Sequence, residues 1–278
     1  MSKYGKFGIG VNYKSSFSKE IYNNLQYIDI LEVHSENFFL DEEDNYLEKC
    51  CEEIPIIFHG LDMSLGTDDN LDTEYIENLK NVIINKKPIW YSDHLSATRH
   101  GNIEVGHLMP IQFSIENSYN IINKIKKIKK IKSEVNENFI IENITYYYNM
   151  PGSDMAEIDF INSIVKNSDC GILLGINNLY INAMNHNYDP EEFLLKLPLD
   201  HIVEIHLAGG SYKFDMIVDT HANKIWDDVW KLYEYSLSKT DVCGVIIERD
   251  SNIENYTTVI DEVTIAREIY KKIYRKHP

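Results

Sequence analysis

Short apolar runs alternate along this chain with longer stretches in which apolar residues recur every three or four positions. Eight runs read as strands: FGIGVNY (7–13), DILEVHSE (29–36), IPIIFHG (54–60), PIWYSDHL (88–95), NFIIENI (138–144), GILLGINN (171–178), HIVEIHLAG (201–209) and GVIIERD (244–250). Stretches between them, such as DTEYIENLKNVIIN, SIENSYNIINKIKKIKK, DMAEIDFINSIVKN and IWDDVWKLYEYSLSK, have helical periodicity and begin with acidic or Ser/Asp residues, as amphipathic helices do. Strand and helix alternating eight times is the rhythm of the α/β class in its (β/α)8, or TIM-barrel, form. No Gly/Ser/Pro-rich linker or shift of composition divides the sequence, so a single domain over 1–278 is expected. Two connections are longer than the rest, 95–110 after the fourth strand and 209–223 after the seventh. Both leave the face where the carboxyl ends of the strands meet, and loops there shape pockets.

Composition narrows the function. With 44% hydrophobic residues and 12% aromatic residues in the chain, it can build a substantial core. It has no apolar run near the ~18 residues of a membrane span, and its start, MSKYGKFGIG, lacks the apolar region of a secretory signal. A cytoplasmic protein without membrane contact is expected. A net charge of −17 works against nucleic acid as a partner, because phosphate contacts need clustered Lys and Arg. The one basic run, IINKIKKIKKIK (121–132), repeats isoleucine at 122, 125, 128 and 131, and reads as a helix with an inward apolar stripe and solvated lysines. Cys50, Cys51, Cys170 and Cys243 show no CxxC spacing and read as reduced, structural cysteines.

The chemistry is concentrated at the downstream ends of the strand runs. His59, His94, Glu142, His206 and Glu248 stand there, and Asp219 and His221 lie two apart in the loop after the seventh strand. Singly, each has an ordinary explanation, since a strand-end histidine is often a hydrogen-bonded structural residue and a loop carboxylate is usually solvated. Five of eight strand ends carrying a ligand-capable residue is a coincidence that points to metal, with more than one ion. Imidazole and carboxylate suit zinc, iron or manganese, and a carboxylate bridges two ions through its two oxygens. Glu142 and Glu248 are the bridging candidates, with His59, His94, His206, Asp219 and His221 as terminal ligands. Glu36, Asn143, Asn178, His186 and Glu204 are further ligands or partners that hold imidazole tautomers. His100 (in the turn RHGN) and His201 (at the opposite end of its strand) are set aside, and His107 is a pocket candidate.

The motifs VHSENFF (33–39), FHGLDMSLG (58–66), YSDHL (91–95), IEN (141–143), INNLYINAMNH (176–186), VEIHLAGG (203–210), VDTH (218–221) and IIERD (246–250) resemble, in order and spacing, the multinuclear non-heme iron-dependent oxidases, whose best-known member acts in methanobactin biosynthesis. The resemblance spans about residues 7–250 and implies a xylose-isomerase-like TIM barrel. It also implies metals at His59, His94, Glu142, His206, Asp219, His221 and Glu248, with a weaker claim for Asn178. Glu36, Asn143 and His186 are then expected as catalytic or substrate-contacting groups. One motif departs: where the family pattern begins Asp-Val-Asn-Asn, this chain reads Gly175-Ile176-Asn177-Asn178. Glycine cannot ligate, so Asn178, His186 or water takes the place, or the site holds two ions rather than three.

What the resemblance implies about activity is oxidation of a residue, often cysteine, in a ribosomally synthesised precursor peptide. Iron, two or three ions in mixed Fe(II)/Fe(III) states, is the expected cofactor and dioxygen the co-substrate. Peptide selection falls in such systems to a separate leader-recognising partner protein, which is expected here too. Two other readings stand beside it. The same barrel and ligands would serve a metal-dependent hydrolase or isomerase acting on phosphodiesters or sugars, and Gly175 alone would suit a degenerate scaffold that binds metal or peptide.

Overall fold

The computed structural model describes residues 5–39, 44–101, 103–130, 139–253 and 255–274. Eight parallel strands close into a barrel. They are β1 (Gly8–Asn12), β2 (Ile30–His34), β3 (Ile56–Gly60), β4 (Tyr91–His94), β5 (Phe139–Glu142), β6 (Gly171–Gly175), β7 (Ile202–Leu207) and β8 (Gly244–Ile247). Each pairs with its neighbours in sequence, and β1 closes the ring on β8 from Gly8–Gly244 to Val11–Ile247. Helices lie in the connections, among them Thr73–Lys86, Ile115–Lys130, Glu157–Ser168, Ile176–His186, Asp227–Leu237 and Thr257–Tyr274.

The strands are buried almost throughout because both faces are covered, and this is why they read as apolar runs rather than as alternation. Outward residues such as Leu31, Phe58, Ile141 and Ile205 pack in the large core shared with the helices. Inward residues form a separate floor of Ile30, Ile57, Trp90, Ile140, Leu173, Val203, Cys243 and Ile246. Two residues further along each strand, one pleat or about 6.6 Å higher, the same interior column carries Glu32, His59, Ser92, Glu142, Gly175 and Glu248. Period two therefore separates an apolar plug from a polar mouth. β7 breaks step: a register shift between Ile172 and Leu173 sets Glu204 opposite Leu173 and His206 opposite Gly175. A carboxylate thus reaches the floor, where Glu204 accepts from the Trp90 indole at 2.7 Å.

Several sequence expectations change. The run GILLGINN is not one strand, since it stops at Gly175 and Ile176–Asn178 open the helix Ile176–His186. A short apolar run cannot distinguish a buried strand from a buried helix start. DILEVHSE ends as strand at His34 and continues as the 3-10 turn Ser35–Phe38. Both long connections contain antiparallel hairpins, Ala97–His100 with Ile103–Met109 and Gly210–Lys213 with Met216–Asp219. In the basic helix, Ile122, Ile125 and Ile128 are buried as expected, but Lys124 is buried too. Its ammonium donates to the carbonyls of Leu65 and Thr67, and burial pushes its pKa down to about 8. Ile131, the fourth of that stripe, and Asn138, the first residue of the fifth run, lie outside the described residues. Cys50, Cys170 and Cys243 are buried, with Cys170 and Cys243 just before β6 and β8, at the end opposite the mouth. Among the described residues no helix is long and apolar enough to cross a membrane.

Candidate metal centre

At the mouth the strand ends bring three imidazoles and four carboxylates together. His59 Nε2 and His94 Nε2 lie 3.1 Å apart, and Glu142 Oε2 is 3.3 Å from the first and 3.2 Å from the second. Atoms bound at ~2.1 Å to one ion sit about 3.0 Å apart at right angles and about 3.4 Å apart in a tetrahedron. The triangle has the spacing of one face of a coordination shell. The other oxygen of Glu142 faces a second set: Oε1 is 3.6 Å from His206 Nδ1, which is 3.0 Å from Glu248 Oε2. Glu142 therefore stands between two ligand groups with one oxygen for each.

A third pole lies at the edge. Asp219 Oδ1 is 3.0 Å from His221 Nε2 and accepts from Asn177 Nδ2 at 2.9 Å. His221 has a left-handed φ of 46°, which turns its ring so that Nδ1 comes 3.8 Å from Glu248 Oε2 and 3.4 Å from Asp250 Oδ2. Glu248 thereby links the second and third poles. Asp219 ends the 210–219 hairpin, and its amide donates to the Tyr147 hydroxyl at 3.2 Å.

Charge at the site follows burial and neighbours. Burial, with His94 and His206 nearby, holds His59 well below the usual imidazole range, and burial pushes His94 down to about 3. Both rings are neutral at pH 7, so their contacts with Glu142 are not ion pairs and they keep lone pairs for a metal. His206 behaves oppositely: burial would lower it, but Glu248, Glu32 and Glu142 outweigh that and hold it well above its ordinary value. His221 is raised likewise against its burial by Glu248 and Asp219. Burial raises Glu142 strongly, and raises Glu32 to about 7. Without a cation, this much carboxylate in a low-dielectric pocket is held partly by protons.

The remaining predicted residues fall outside the cluster. Asn178 donates to Glu142 Oε1 at 3.2 Å and to the Asn143 carbonyl at 2.9 Å, while its oxygen takes the Thr145 hydroxyl. Asn143 exchanges hydrogen bonds with the backbone of Gly175, tying β5 to β6. Glu36 sits in the turn after β2 and accepts from the Tyr75 hydroxyl and the Leu61 amide, at 2.7 and 2.8 Å. His186 lies a helix length beyond Asn177, stacked on Tyr146 at 4.4 Å with Nε2 on the Tyr146 carbonyl. It does not fill the place left by Gly175. A Cβ on Gly175 would lie 2.6 Å from Asn178 Nδ2 and 3.0 Å from Glu142 Oε1, so Asn178 occupies the space a longer residue would need. His107 is exposed on a hairpin strand, and His201 binds the Cys170 carbonyl at the far end.

Sequence reasoning missed Glu32. Its Oε2 lies 2.8 Å from His206 Nε2, and Glu204 Oε1 lies 3.5 Å from the same nitrogen. Glu32 Oε1, Glu204 Oε1 and His206 Nδ1 are buried without a hydrogen-bond partner. The available signal was position, since Glu32 is two residues before the end of β2 and shares its interior column. Carboxylate on one imidazole nitrogen and an open second nitrogen is the usual setting of a metal-bound histidine. The orphaned Nδ1 of His206, the shared Glu142 and the N/O donor set fit a multinuclear cluster of a borderline metal such as iron or zinc.

The fold is a xylose-isomerase-like TIM barrel with this polar cluster at its mouth. It is similar to a D-tagatose 3-epimerase-like protein (TM-score 0.64, 17% identity, covering 98% of this chain and 100% of that one). It is also similar to a xylose isomerase-like TIM barrel protein from Mycobacterium smegmatis solved with magnesium (TM-score 0.60, 10% identity, 97% and 100% covered). At such identities the likeness is one of fold. Residues 8–271 match the model of the RiPP precursor modification enzyme MbnB/TglH/ChrH family, and the chain belongs to that family. A UPF0276 protein of Psychromonas ingrahamii is 32% identical over 270 residues, 94% of each chain.

Proposed function

We propose that this protein is an iron- and dioxygen-dependent oxidase that modifies a residue, cysteine in this reading, of a ribosomally synthesised precursor peptide. The observation that carries the proposal is the placing of Glu142, with one oxygen on the His59–His94 pair and the other toward His206 and Glu248. Iron held there would supply one-electron redox chemistry and activation of dioxygen. The ligands are His59, His94, Glu142, His206, Glu248, Asp219 and His221, enough for two or three ions. Asn178 acts by holding Glu142 rather than by ligation. Ser92 fixes His59 through Nδ1 at 2.7 Å, and Glu32 fixes His206 through Nε2, so each ring presents its other nitrogen to the cluster. Membership of a precursor-modifying family supports a peptide substrate, and a separate partner that grips the leader is part of the proposal.

Anaerobic purification followed by elemental analysis and Mössbauer spectroscopy tests it. Two or three coupled irons per chain, with dioxygen consumed only when a precursor peptide is added, are expected. Stoichiometric zinc with no iron uptake on reconstitution would move the assignment to a hydrolase or isomerase.

A further inference from the structure

Beside the metal centre, on the other side of the loop that follows β5, lies a cleft of about 500 Å³ that none of the chemistry above uses. Its walls are aromatic: Phe113, Tyr146, Tyr188 and Phe193 line it, and so do Met150 and Met155. Tyr188 and Phe193 stack at 5.3 Å, and Phe113 meets Tyr146 edge to face at 5.4 Å. The carboxylate of Glu157 also lines the cleft. Its Oε2 takes the Tyr146 hydroxyl at 3.2 Å, and among the described residues no cation pairs with it. The Tyr188 hydroxyl is buried with no hydrogen-bond partner. Charged residues of the lining are three acids, Glu157, Asp189 and Glu192, against Lys196.

A carboxyl group set among aromatic faces and paired with no cation among the described residues, which burial keeps protonated up to about pH 8 and an arriving cation would ionise, is the chemistry that receives an organic cation. The ring faces attract the charge, their apolar surface accepts an aliphatic stem, and the carboxylate supplies the direct ion pair. We propose that this cleft is a subsite for a basic side chain, guanidinium or ammonium, of the peptide whose modification is proposed above. The inference rests on that reading for the source of the cation. Placement supports a connected peptide. Tyr146 faces the cleft while the adjacent Tyr147 meets Asp219 at the third metal pole. Tyr146 is four positions after Glu142, a reach of at most ~14 Å of extended chain. The basic residue would therefore sit within about four positions of the residue modified.

The test uses methionine-methyl NMR on the purified full chain, because Met150 and Met155 report from the cleft itself. Acetyl-arginine methylamide should shift both signals saturably, and its neutral isostere acetyl-citrulline methylamide should bind at least tenfold more weakly. Glu157→Gln should weaken the arginine derivative at least tenfold. The citrulline comparison needs no variant, so it decides the matter even if Glu157→Gln fails to fold. No saturable shift, or equal binding of the two derivatives, overturns the subsite. For the peptide source, acetyl-Arg-Gly-Gly-Gly-Cys amide should bind the metal-loaded chain at least tenfold more tightly than the arginine derivative. Equal affinity would overturn a peptide-borne cation. None of these titrations needs turnover, so arginine binding in a chain that oxidises no peptide would sink the oxidase reading and leave the subsite standing.

Discussion

Replacing Glu32 by glutamine tests how His206 is presented to metal. His206 Nε2 lies 2.8 Å from Glu32 Oε2, its Nδ1 lies 3.0 Å from Glu248 Oε2 without a hydrogen bond, and Glu248, Glu32 and Glu142 together hold the ring well above the ordinary imidazole range. A metal ion would replace the Nδ1 proton, and Glu32 would then make the ring a better donor and fix its orientation. Loss of such a partner costs 10–100-fold in metal affinity, about 1.4–2.7 kcal/mol. Here the lower end is expected, because Glu204 Oε1 remains 3.5 Å from the same nitrogen. Glu32→Gln should weaken the metal at the Glu142–His206–Glu248 position about tenfold, and Glu32→Gln with Glu204→Gln about a hundredfold. Chelator competition with elemental analysis measures this. In the metal-free protein Glu32→Gln removes one of the buried carboxylates that hold His206 above its ordinary value, so the melting temperature should fall modestly while Glu204, Glu248 and Glu142 remain beside the ring. Metal affinity within twofold of the wild type, with the fold intact, would refute the argument.

Three further outcomes are expected. Glu142→Gln removes one of the two bridging oxygens, so metal content should fall to about half or less and magnetic coupling in the Mössbauer spectrum should vanish; retained coupling would place the bridge elsewhere. Gly175→Ala puts a methyl 2.6 Å from Asn178 Nδ2 and 3.0 Å from Glu142 Oε1, and should destabilise the chain by ~1–3 kcal/mol, read from denaturant unfolding. Burial raises Glu157 to about 8, so its contribution to stability is full below the ordinary carboxylate range and is lost as pH rises through 8. Melting temperatures from pH 5 to 9 should therefore decline less steeply in Glu157→Gln than in the wild type, and parallel curves would contradict that environment.

How far the site could be read in advance depended on strand geometry. His59, His94 and Glu142 are the last or nearly last residues of their strands, and parallel strands in a barrel all end on one face. Glu32 escaped because only strand register shows that it lies in the same interior column as Glu142. His186 misled for the converse reason. It follows Asn178 closely in sequence, but eight residues of helix carry it about 12 Å along the axis, to Tyr146. The sixth strand run was overextended because the buried start of the next helix is as apolar as the strand before it.

From the sequence by itself came the (β/α)8 rhythm, the face on which the His and carboxylate side chains collect, and the family motifs. All of these are local properties, fixed by side-chain periodicity and by residue type at the strand ends. The tertiary structure alone decided which atoms meet: that Glu142 gives one oxygen to each histidine group, that His206 leans on Glu32 and Glu204, and that Asn178 fills the space beside Gly175. It also decided which imidazoles are neutral and which are charged, because burial and the field of neighbouring carboxylates arise only when segments as distant as residues 32 and 206 are folded against each other.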